Sequence, residues 1–153
     1  MLAVDDEQVN RVLLRDLLEP MGCTVLVASN GSEALREVEQ SQPDLVLLDA
    51  MMPPPDGFEV CRRIKTNPML CLIPVVMVTA LHEKADRIRA IEAGPDDFLS
   101  KPFDRQELLA RVRSLLRLKQ FTDELEHAES VLIALARSVE ARDSLTEGHC
   151  ERL

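Results

Sequence analysis

Two rhythms of apolar and polar residues take turns along this chain. Short, mostly apolar runs at Leu2–Val4, Thr24–Ala28, Asp44–Leu48, Pro74–Val78 and Asp97–Ser100 predict β-strands. Between the first two, Val9, Val12, Leu13, Leu17 and Leu18 recur at helical spacing over Gln8–Glu19, and Pro20 and Gly22 stop the segment. Asn30 offers an N-cap to a helix through Ala34, Leu35 and Val38. Phe58–Lys65 carries Val60, Cys61 and Ile64 on one face. Glu83–Ala93 is expected to turn Ile88 and Ile91 inward, with Gly94 just past its end. Strands separated by helices predict an α/β fold, a doubly wound five-stranded parallel sheet. The runs 45–48 and 75–78 are apolar throughout, as central strands covered on both faces should be.

A final helix follows a different rule. Asp104 can cap it, with Glu107 placed for a capping box, and no Pro or Gly then appears before Gly148. Leu118, Phe121, Leu125, Ala128, Leu132, Leu135 and Val139 alternate steps of three and four, a heptad seam. Leu108, Val112 and Leu115 obey the same rule, but the step from Leu115 to Leu118 breaks phase. The earlier stretch is therefore expected to pack on the compact domain and the later one on a partner helix, making a homodimer. This divides the chain into a domain over 1–118, a coiled-coil helix over 119–143 and a third segment over 144–153.

Chemistry concentrates where the strands end. Asp5 and Asp6 follow the first run, Asp49 ends the third, Thr79 ends the fourth and Lys101 follows the fifth. In parallel α/β sheets ligands sit beyond the carboxyl ends of the strands, so all five belong at one edge. Three carboxylates there repel one another unless a cation screens them, and hard oxygen ligands suit Mg²⁺. A carboxylate can also act as a nucleophile toward phosphorus, with an ammonium and a hydroxyl to receive the phosphoryl oxygens. Taken singly, Asp5 or Asp6 reads as a helix cap, Asp49 as the start of a turn and Thr79 as an ordinary strand end. The ordered set of five makes the site.

Val4-Asp5-Asp6-Glu7, Leu47-Leu48-Asp49, Met52-Pro53-x-x-Asp56-Gly57, Val78-Thr79-Ala80 and Phe98-Leu99-Ser100-Lys101-Pro102-Phe103 together resemble the receiver domain of two-component response regulators, a flavodoxin-like fold. The resemblance spans residues 1 to about 120. It implies that Asp49 accepts phosphate from a sensor histidine kinase or phosphotransfer protein. It further implies that Asp6 and Asp49 ligate Mg²⁺ directly, that Asp5 assists through water, and that the Met51 carbonyl completes the protein ligands. Thr79 and Lys101 would contact the phosphoryl group, and Phe98 would be the aromatic that moves with Thr79. Two departures stand out: Met51, Met52, Pro54 and Pro55 give the site a stiff apolar rim, and Pro95 lies between Gly94 and Asp96 where the family commonly has a small residue. Farther on, residues 134–153, with Thr146-x-x-His149, resemble the opening of an HD-GYP domain, a metal-dependent cyclic-di-GMP phosphodiesterase. The HD pair and the GYP signature are absent from this chain.

Composition narrows the field. A net charge of −9 argues against a nucleic-acid surface, and aromatics at 3% leave the core to aliphatic residues. Cys23, Cys61, Cys71 and Cys150 form no C-x-x-C pair, so reduced structural thiols are expected, and with no signal-like leader or bilayer-length apolar run the protein reads as cytoplasmic. His82 and His127 read as solvated side chains. Two competing functions remain. A haloacid-dehalogenase-like phosphatase also uses a strand-end Asp, but it needs a second Asp where this chain has Met51. A degenerate receiver would serve as a dimerisation scaffold without phosphorylation.

Overall fold

The computed structural model describes residues 1–80 and 84–150, the side chains of 84–87 and 139–150 excepted. The elements are β1 (Leu2–Val4), α1 (Gln8–Leu18) with a 3₁₀ turn at Glu19–Met21, β2 (Leu26–Ala28), α2 (Gly31–Ser41), β3 (Val46–Asp49), α3 (Gly57–Thr66), β4 (Val75–Thr79), α4 (Lys84–Ala93), β5 (Asp97–Ser100) and α5 (Arg105–Cys150). The five strands are all parallel, in the order β2-β1-β3-β4-β5. This is the doubly wound parallel α/β fold that the strand pattern predicts. Winding reverses between β1 and β3, and the loops after these strands diverge to leave a crevice.

Strand side chains alternate between two cores. Leu2, Val4, Val46, Leu48, Val75 and Met77 face the layer holding Phe58, Val60 and Ile64 of α3. Ala3, Leu47, Val76, Val78 and Leu99 face Leu14 and Leu18 of α1 and Leu108 and Val112 of α5. Apolar burial on both faces is what drives β3 and β4 to the centre.

Two helices present other faces than the apolar spacing suggests. On α1 the buried residues are Leu14 and Leu18, while Val9, Val12 and Leu13 are exposed. The helix has more apolar positions than inward ones, and the i, i+4 pair nearest the sheet takes the core. On α4 Ala90 and Ala93 are buried and Ile88 and Ile91 are exposed. Small side chains let this helix approach α3 closely, where the Cys61 thiol meets the Ala93 carbonyl at 3.4 Å. Burial raises that thiol's pKa to about 12, so it is an inert part of the core.

Caps follow the expected chemistry in part. Asn30 accepts from the Glu33 amide at 2.9 Å, and Glu33 reaches back to the Ser29 amide and hydroxyl at 2.7 Å. Asp104 accepts from the amides of Gln106 and Glu107, but the Glu107 carboxylate turns to Arg111 instead of closing a capping box. The chain forms two compact units, Met1–Lys119 and Gln120–Leu153. In the second, Phe121, Leu125, Leu132 and Leu135 are exposed.

Candidate functional site

β1 delivers Asp5 to the crevice nearly sealed from solvent, at 1% exposure. Its Oδ1 accepts from the Glu7 amide (2.9 Å) and the Asn10 side-chain amide (3.1 Å), which leaves Oδ2 free to face inward. The Arg11 guanidinium donates to the carbonyls of Asp5 (2.6 Å) and Asp6 (2.9 Å), pinning the loop that carries both acids. Asp6 itself is exposed.

Asp49 ends β3 at 5% exposure, with Oδ1 accepting from the Met51 amide at 3.1 Å. Gly57 explains how α3 can start against this strand end. A Cβ on Gly57 would overlap the Asp49 carbonyl oxygen and the Ala50 Cα. Asp56 caps α3 through the Glu59 amide (2.9 Å) and also holds Arg89 of α4 at 2.6 Å.

The sheet register does the rest. β3–β4 pairing sets Asp49 beside Val78, and β4–β5 pairing sets Thr79 beside Ser100, one residue before Lys101. The Lys101 ammonium donates to Asp5 Oδ2 at 3.0 Å and to Asp49 Oδ2 at 2.9 Å. Carboxylate oxygens of Asp5, Asp6 and Asp49 all lie within 4.8 Å of one another. Thr79 is 2% exposed, and its Oγ1 is the one buried side-chain polar atom without a hydrogen-bond partner among the described residues.

The electrostatics follow from crowding. Burial raises the Asp49 pKa, and the nearby Asp5 charge adds to that. The hydrogen bond from Lys101 and the one from the Met51 amide oppose the rise without cancelling it. Burial is also the largest single influence on Lys101 and pushes its pKa down. Its bonds to Asp49 and Asp5 outweigh that, so its pKa is raised and the ammonium stays charged. Two buried carboxylates share one cation, and a third lies at hand: the donor set has an excess of negative charge and hard oxygen ligands, which suits Mg²⁺.

A family profile for the response regulator receiver domain matches residues 1–113. The chain belongs to the response regulator receiver family. Response regulator PleD of Caulobacter vibrioides is 46% identical over 129 residues, covering 84% of this chain and 28% of PleD. PhoP of Bacillus subtilis, the alkaline phosphatase synthesis transcriptional regulatory protein, is 42% identical over 116 residues, covering 76% of this chain and 48% of PhoP. The chain thus spans about half or less of these relatives. Among solved structures, the receiver domain of a signal transduction histidine kinase from Syntrophus aciditrophicus superposes with a TM-score of 0.74 at 37% identity, covering 76% of this chain and 88% of that one. The receiver domain of a modulated diguanylate cyclase from Desulfovibrio desulfuricans gives 0.70 at 28%, covering 79% and 95%.

The structure brings Asp5, Asp6, Asp49 and Lys101 together directly, with Thr79 at the adjoining strand end. The Met51 side chain points out, 60% exposed. Phe98 is partly buried against the α3 core. His127 is exposed, while His82 and every side chain of the 144–153 segment, His149 included, lie outside the described residues. Asn10 and Arg11, which set the β1 loop, escape a reading of the sequence. Their only signal is a polar pair on the first turns of α1, where the helical spacing draws attention to apolar neighbours. No helix among the described residues is long and apolar enough to cross a membrane.

Proposed function

We propose that this receiver takes a phosphoryl group onto Asp49 from a histidine kinase or phosphotransfer protein, in a Mg²⁺-dependent reaction. The observation that carries the proposal is the Lys101 ammonium bridging Asp49 and Asp5 beside an unpartnered Thr79 hydroxyl. The inward Asp49 oxygen would attack phosphorus in line, and the bond from phosphorus to the donor nitrogen would break with its electron pair leaving on the donor. Lys101 neutralises charge on the transferred oxygens, and Thr79 Oγ1 donates to one of them. Asp6, Asp49 and the Met51 carbonyl, with Asp5 through water, are the groups that would hold Mg²⁺, which supplies positive charge at the phosphoryl oxygens. Met51 brings no polar side chain to guide an attacking water.

A hydroxyl with no partner before phosphorylation and one after it biases the β4 end toward a second position. Phe98, on the neighbouring strand, is the side chain placed to follow, shifting populations within one fold. The apolar seam of α5 fits pairing with a second copy, and residues after about 144 fit the start of an HD-GYP-type output domain. Incubation with Mg²⁺ and acetyl phosphate should add one phosphoryl mass to the wild type and none to Asp49→Ala, with EDTA abolishing it. Equal labelling of both proteins would refute the assignment. A dimer whose concentration dependence ignores beryllofluoride would favour the phosphorylation-independent scaffold.

A further inference from the structure

A cavity of about 400 Å³ opens beside the acidic cluster, lined by Leu13, Leu14, Val78, Pro102 and Phe103, with Asp5, Asn10 and Lys101 at its polar end. Phosphoryl transfer as described above needs Lys101 and the strand-end carboxylates; it does not need an apolar room next to them. Leu13 leaves nearly half of its surface exposed on this wall, although Leu14 behind it already closes the core. The cavity shares Lys101 with Asp49, whose inward oxygen lies 2.9 Å from the ammonium. A molecule with a phosphoryl group on Lys101 therefore has an apolar wall within reach of its other end. The Asn10 side-chain amide, tied to Asp5 and Glu7, forms part of the cavity's polar end.

Resting on the phosphoacceptor reading, we infer that the cavity seats the leaving group of a small-molecule donor, an acyl phosphate with a short aliphatic chain, and so favours it over acetyl phosphate. The step balances without a further reagent. The Asp49 carboxylate oxygen forms a bond to phosphorus, the bond from phosphorus to the acyl oxygen breaks, and the electron pair leaves on the fatty carboxylate. Charge complementarity selects this occupant: a dianionic phosphoryl end meets the Lys101 cation, and an uncharged chain meets leucine, proline and phenylalanine. Each added methylene that loses its water there should raise the transfer rate up to about fourfold.

The test is a donor series on the full chain with Mg²⁺. Acetyl, propionyl and butyryl phosphate are compared by the rate at which intact mass shows phosphorylation, as a second-order constant. The expected result is a butyryl-to-acetyl ratio of about five or more. Leu13→Ser and Phe103→Ser should each pull that ratio toward one, and Leu13 is exposed enough for its variant to fold. A ratio of one or below in the wild type, with Asp49 still labelled by acetyl phosphate, would overturn the inference and leave the phosphoacceptor reading standing. A rising ratio that neither variant moves would also overturn it. Failure of every donor to label Asp49 would sink the phosphoacceptor reading and this inference together.

Discussion

Gly57→Ala tests how tightly the phosphoacceptor strand and α3 are fitted. Alanine is normally the better helix former, by up to about 1 kcal/mol, and Gly57 has no positive φ that would penalise a side chain. Propensity alone therefore predicts a more stable protein. Sterics predict the opposite. The new Cβ would overlap the Asp49 carbonyl carbon and oxygen and the Ala50 Cα, all main-chain atoms. Those atoms cannot swing aside as a flexible side chain would. The Ala50 amide is tied to the Val78 carbonyl at 3.1 Å, and its own carbonyl accepts from the Gly57 amide at 3.2 Å. Overpacking of this kind costs roughly 1–3 kcal/mol or somewhat more, and it falls here on backbone held by a central strand. The net expectation is a loss of about 2 kcal/mol, or roughly 4–8 °C in Tm for a chain of this size. Urea and thermal unfolding measure the loss, and labelling with acetyl phosphate measures the displacement of Asp49. Gly22→Ala is the control, since Gly22 lies at φ 79° with nothing within 4 Å of a new Cβ. It should cost about 1 kcal/mol through backbone strain alone and leave labelling untouched. A neutral or stabilising Gly57→Ala would refute the close-approach argument.

Thr79→Val keeps the shape of the side chain and removes a buried hydroxyl without a partner, so the unphosphorylated protein should gain about 1 kcal/mol in urea unfolding, while the NMR shifts expected at the ends of β4 and β5 when beryllofluoride binds the wild type should vanish. An unchanged response to beryllofluoride would count against Thr79 as the phosphoryl contact. The Ser29 amide and hydroxyl hold the Glu33 carboxyl below its ordinary pKa, so its contribution is present above the unfolded value near 4.5 and is lost as pH falls through the lower folded value. Glu33→Gln keeps an acceptor for Ser29 and loses only the charge, so it should cost roughly 0.3–1 kcal/mol at pH 7 and progressively less below about pH 4.5, read from urea midpoints across pH. Arg89 joins α4 to the α3 cap through Asp56 and lies 4.6 Å over the Phe58 ring. A double-mutant cycle of Arg89→Ala with Asp56→Asn should return a coupling of roughly 0.5–1 kcal/mol, reduced by high salt; zero coupling would assign Arg89 to packing on Phe58 alone.

The strand ends are legible in the sequence because parallel strands share a direction. Once Leu45–Leu48 and Val75–Val78 read as central strands, Asp49 and Thr79 had to emerge at the same edge as Asp5 and Lys101. Helix faces were less legible. α1 and α4 carry apolar residues beyond those the sheet can cover, and periodicity cannot tell which of Val9, Leu13 or Leu14 turns inward.

Periodicity and residue type by themselves determined the alternating fold and the set of groups at its carboxyl edge, since both depend on local rules of backbone direction and burial. Only the tertiary structure decided that one ammonium serves Asp5 and Asp49 at once, that the Thr79 hydroxyl is left without a partner, that Arg11 grips the β1 loop and that α3 abuts Asp49 through a missing Cβ. Each of these is set by ångström-scale distances between segments far apart in the chain. Such distances arise from how two layers of side chains fill the space on either side of the sheet, a property of the whole assembled core that no local pattern encodes.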